Sequence, residues 1–200
     1  MMTIRQIERL WNMKSYQRLS RDLLAARQEV AFGVEGLDRP CAVAALAIIR
    51  MDELAQSHLP FYGQLVRVVL AAQDRDGGWG DPAATALCVR ALLLGHGDGA
   101  AIVSGLGYLA TLQKDDGIWP AGPLRRMGAD PAVSLFILYE LGANPRFQAA
   151  VRFADALEWF GRNGSVLSAE CRSLCERTRL RCRSFQPGEP VNAAPALFAA

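Results

Sequence analysis

Predominantly apolar segments along this chain are separated by short stretches of Gly, Pro and Asp. Within several runs the apolar positions recur at helical spacing, and strand-like alternation is nearly absent, so an all-α fold is expected. Two blocks repeat each other. Val69 to Trp79 and Leu109 to Trp119 align with Gln73 over Gln113, Gly77 over Gly117 and Trp79 over Trp119. Each block follows one apolar run and precedes another, which begins after Asp81-Pro82 in the first case and after Asp130-Pro131 in the second. Asp at an N-cap with Pro at the first helical position is a strong helix start. The pattern therefore predicts helices over about 83–94 and 132–141.

Weaker copies flank these two. Leu24 to Gln28 leads through Gly33-Val34 to Asp38-Arg39-Pro40 and the apolar run Cys41 to Ile49. Downstream, Phe147 to Phe160 reads as one amphipathic helix ended by Gly161 to Gly164, and a further helix is expected from about Ser168 to Cys182. The unit is helix, Gly-rich turn, helix, and about four such hairpins occupy residues 1–185. A tail over 186–200, with three prolines, is expected to lie outside the repeats. The second helix of each central hairpin is apolar nearly all round, whereas the first keeps charges such as Arg67, Arg146, Arg152 and Asp155 on one face. Apolar helices inside and amphipathic helices outside follow from that contrast.

The block from Ser104 to Trp119, with Tyr108, Leu109, Gln113, Gly117 and Trp119, resembles the QW repeat of squalene–hopene and oxidosqualene cyclases. The chain as a whole is similar to the α/α toroids of terpenoid cyclases and protein prenyltransferases, best over residues 20–145. That resemblance implies an α/α toroid, as a partial ring or arc, because the closed ring of the family holds more hairpins than are counted here. An arc would leave an apolar edge, so a homo-oligomer or a partner protein is expected. The resemblance also implies that Gln and Trp tie neighbouring hairpins together, and that an isoprenoid or other apolar small molecule occupies the toroid centre. Cys88, Phe136 and Tyr139 are the residues expected to line such a cavity, with Asp81 and Asp130 as candidate catalytic carboxylates. The cyclase acid motif, Asp-x-Asp-Asp followed by Thr-Ala, is incomplete here. Asp81, Thr85 and Ala86 match it, but Ala83 occupies the position of the proton donor, and Ala132 does so in the next repeat. The alternative is a non-catalytic repeat module for protein–protein interaction.

Composition narrows the remaining classes. A net charge of +2 with 21% charged residues gives no case for nucleic acid. An acidic magnesium site is not expected at Lys114-Asp115-Asp116, which lacks a second acidic half. The two histidines, His58 and His96, do not join an Asp-x-Cys in a zinc set, and Cys171, Cys175 and Cys182 share a helix face without a fourth ligand. No cofactor is expected. Five cysteines and no run of apolar residues resembling an export signal suggest reduced thiols and a cytoplasmic setting. The N-terminal stripe of Ile4, Ile7, Leu10 and Trp11 opposite Arg5, Arg9, Lys14 and Arg18 suits packing on the repeats, or a peripheral membrane contact.

Overall fold

The computed structural model describes residues 34–95 and 99–183, together with Ala25. Among the described residues the chain is all-α. Its helices are α1 (Pro40–Glu53), α2 (Pro60–Ala71), α3 (Pro82–Leu94), α4 (Gly99–Leu112), α5 (Pro131–Leu141), α6 (Pro145–Ala150), α7 (Phe153–Arg162) and α8 (Ala169–Arg183), with a 3-10 turn at Gly164–Val166. The N-terminal stripe and the 186–200 tail lie outside the described residues. No described helix is long and apolar enough to cross a membrane.

Five of the eight helices begin on proline at their first position, after an extended residue that cannot continue a helix backwards. Asp81 and Asp130 cap α3 and α5 as expected. One oxygen of Asp81 accepts from the Ala84 N–H at 2.8 Å, and one of Asp130 accepts from Ala132 and Val133 at 2.8 and 3.1 Å. Ser168 opens α8, its hydroxyl accepting from the Cys171 N–H at 3.2 Å.

Two layers are observed. Helices α1, α3, α5 and α8 pack side by side in that order, while α2 lies against α1 and α3, α4 against α3, and α6 against α4. Every residue from Cys41 to Ile49 in α1 is buried, as are nearly all of α3 and α5, because each inner helix has neighbours on several sides. The outer helices bury one stripe only: Tyr62, Leu65 and Val69 in α2, Ala156 and Phe160 in α7. Helix α8, the last of the row, turns Leu174, Cys175 and Cys182 inward, while Arg172, Glu176, Arg179 and Leu180 are exposed. Between α3 and α5 the Arg90 guanidinium pairs with the buried Glu140 carboxylate.

The single helix expected from Phe147 to Phe160 is broken in two. The Gln113 side chain explains the break, because its oxygen accepts from the Arg152 N–H at 2.8 Å and its amide donates to the Arg152 carbonyl at 3.0 Å. The Arg152 N–H that a continuous helix would direct four residues back is thereby taken, while the Arg152 carbonyl still accepts the Ala156 N–H at 3.2 Å to open the next helix. The Phe153 N–H bonds to the Val151 carbonyl at 2.9 Å, and Arg152 at φ −77° and ψ 70° adopts an inverse γ-turn. Helix α6 ends and α7 restarts there.

Candidate functional site

The repeated Gln and Trp residues form the same tie twice. The Gln73 amide donates to the Gly77 carbonyl of its own turn and to the Ala101 carbonyl, 28 residues ahead in α4, both at 2.9 Å. The Gln113 amide donates to the Gly117 carbonyl at 2.6 Å and to Arg152, 39 residues ahead, at the start of α7. The ring N–H of Trp79 donates to Val69 O at 2.7 Å, and that of Trp119 to Leu109 O at 2.8 Å, in each case ten residues back in the preceding outer helix. Their backbone N–H groups bond to Thr85 Oγ1 at 3.0 Å and to Ser134 Oγ at 2.8 Å on the following inner helix. One motif thus holds an outer helix, an inner helix and the next outer helix together.

The turns demand glycine. Gly77 and Gly117 have φ of +90° and +91°, and a Cβ on either would approach the next outer helix's backbone within 2.7 Å: Ser104 O in one case, Ala156 N in the other. Gly105 in α4 admits the Trp79 ring, which would be 2.9 Å from a Cβ there, whereas Trp119 stacks on Phe147 with centroids 6.1 Å apart.

The candidate carboxylates and cavity residues divide. Asp81 and Cys88 come together where α1 and α3 begin. Asp81 is buried, and burial raises its carboxyl above the usual range, against the opposing pull of the Ala84 N–H and of Arg39, whose Nε is 3.6 Å away. Asp130 caps α5 on the same pattern and is partly exposed. Cys88 and Phe136 have no surface that a water molecule can reach, so as they stand they wall a packed core rather than a cavity. Tyr139 is half-buried on α5 beneath the Arg181 guanidinium, 4.8 Å from its ring centroid, and faces α8. Ala83, at the second position of α3, is 1% exposed.

Two features were not singled out from the sequence. Cys41 holds in α1 the position that Ala83 and Ala132 hold in α3 and α5, directly after the N-terminal proline. The Arg39-Pro40-Cys41 triplet was legible as a weak third copy of Asp-Pro-Ala, but its closeness to Cys88 depends on how α1 meets α3. The second feature is a polar cavity of about 330 Å³ on the outer layer, bounded by the Gln73 to Gly77 turn and by Ser104, Gly107, Tyr108 and Thr111 of α4. The Tyr108 ring covers Gly78, and its hydroxyl is buried without a partner among the described residues. Burial, then Asp76, Asp81 and Asp74, push that phenol well above the usual tyrosine range. No group of three His, Cys, Asp or Glu residues suited to a metal ion occurs among the described residues. Among known proteins, the chain matches no family profile, no curated protein and no solved structure.

Proposed function

We propose that this chain is a non-catalytic helical-repeat module that binds a partner protein through its outer layer, at the polar cavity beside the Gln73 to Gly77 turn. The carrying observation is the packing where the inner helices begin. Protonating an alkene needs a neutral acid aimed at the bond, yet the donor position holds the buried Ala83, and Asp81 and Asp130 both turn an oxygen to their own helix. Cys88 and Phe136 are closed in by neighbouring side chains, which leaves an apolar ligand no room beside them unless the inner helices separate. The outer cavity, by contrast, offers carboxylates and a guanidinium on its turn and hydroxyls on α4, a mixture suited to peptide groups and charged side chains.

The test is a photo-crosslinking residue at Thr111, compared in the source cell with the same residue at Glu158 on α7. A discrete polypeptide adduct at Thr111 alone, weakened by Asp76→Ala, is expected, and an adduct with a second copy would make the partner the chain itself. Equal labelling at both positions removes the proposal.

A second reading is favoured by the doubled Gln–Trp tie, which has the geometry that the cyclase resemblance implies. On that reading the protein binds or processes an isoprenoid at its centre. Incubation with linear isoprenoids and their diphosphates, followed by mass spectrometry, separates the two. A cyclic product that disappears in Asp81→Asn would replace the module reading with an enzyme.

A further inference from the structure

Cys41 and Cys88, 47 residues apart, are brought together where α1 packs on α3. Cys88, in the second turn of α3, directs its thiol at the Cys41 carbonyl, 3.8 Å away. Cys41 lies in the first turn of α1 and keeps 8% of its surface exposed, beside the exposed Asp38, Arg39 and Pro40. Cys88 has none. The two thiols therefore differ in depth: Cys41 lies at the margin of the core and Cys88 within it.

The surroundings sharpen that difference. At the start of α1 the backbone N–H groups of Cys41 and Ala42 point towards the Cys41 sulfur, and the Arg39 charge is close. Donation from the Cys88 thiol is the largest influence, and together they bring the Cys41 thiol down to about 7, despite partial burial. Burial pushes Cys88 well above its ordinary value, and the Asp81 carboxylate adds to this. A thiolate is the nucleophile, and a low thiol pKa at a helix N-terminus beside an arginine is the setting in which reactive cysteines occur.

We propose that Cys41 and Cys88 are a redox-active dithiol, with Cys41 as the nucleophile towards a hydroperoxide and Cys88 as the resolving thiol that closes a disulfide between α1 and α3. In the first step the Cys41 thiolate attacks one peroxide oxygen. An S–O bond forms, the O–O bond breaks, and the departing oxygen leaves as an alcohol or water after taking up a proton. The sulfur is oxidised to a sulfenic acid and the peroxide is reduced. In the second step the Cys88 sulfur attacks the sulfenic sulfur. The S–S bond forms, the S–O bond breaks, and the hydroxyl leaves as water with the Cys88 proton. Two thiols and one hydroperoxide give one disulfide, one alcohol or water, and one further water. The product links the first two helices of the inner row and holds them at a fixed separation.

The test uses the full reduced chain and one equivalent of hydrogen peroxide at pH 7, quenched with a maleimide and mapped as non-reduced peptides. The expected result is a Cys41–Cys88 crosslinked peptide, with the free thiols falling from five to three and Cys171, Cys175 and Cys182 fully alkylated. In Cys88→Ala, Cys41 should accumulate a sulfenic acid that dimedone traps. Iodoacetamide should modify Cys41 of the natural chain with a midpoint near pH 7, and that midpoint should rise in Cys88→Ala, which removes the largest lowering influence. Circular dichroism checks that this variant is folded; if it is not, peptide mapping of the natural chain decides alone. Oxidation that begins at Cys171, or that takes Cys41 to a sulfinic acid without bridging to Cys88, overturns the proposal.

Discussion

Gln113→Ala is the sharpest test of how the hairpins are joined. The residue is 3% exposed, and its side chain serves three backbone groups: the Gly117 carbonyl, the Arg152 carbonyl and the Arg152 N–H. Alanine leaves all three without this partner. A net loss of about 1 kcal/mol for each, with a further penalty where water cannot replace the amide, gives about 3–4 kcal/mol. For a chain of this size that corresponds to a fall in Tm of roughly 10 °C. Gln73→Ala removes only two such bonds, from a side chain less deeply buried, and should cost about 2 kcal/mol. Thermal melts followed by circular dichroism at 222 nm provide the comparison. Hydrogen exchange gives a second readout, since the Arg152 amide is protected by Gln113 and should exchange faster in the variant. Equal losses for the two glutamines, or an Arg152 amide whose protection is unchanged, would refute the account of the break between α6 and α7.

Trp119→Ala, which deletes a fully buried ring stacked on Phe147, should cost about 3–5 kcal/mol in a denaturant titration, and Trp159→Ala, at a half-buried position, clearly less. Gly117→Ala should lower Tm because it combines φ +91° with a contact to the α7 backbone, whereas Gly107→Ala, exposed in α4 with nothing within 4 Å, should stabilise by up to about 1 kcal/mol. The Asp81 carboxyl is raised in the folded state, so its contribution to stability is full below the unfolded value of 3.8 and declines as pH rises through the folded value. Natural protein and Asp81→Asn, which keeps a competent cap, should therefore diverge as pH rises above 3.8, to the variant's advantage, in melts taken between pH 4 and 7. A pH-independent difference would mean that burial is not what governs this carboxyl.

Much of the architecture was legible in local pattern. The Asp-Pro and Gln-x-x-x-Gly-x-Trp signals locate the starts of α3 and α5 and the turns before them, because capping and left-handed turns are decided by residues within a few positions of one another. The contrast between apolar and amphipathic runs likewise separates inner from outer helices, since burial on several sides leaves α3 and α5 one charge each, Arg90 and Glu140, which pair with one another. Other features are products of contact between distant segments, and local pattern carries no trace of them. The amphipathic period runs unbroken through Arg152, yet a side chain 39 residues earlier captures its backbone and divides the helix. Cys41 and Cys88 are 47 residues apart and become neighbours only because α1 packs on α3. Cys88 and Phe136 are apolar at helical spacing whether they face a cavity or a core. Only the closeness of the neighbouring helices decides that they are packed, because the same residue types suit both surroundings.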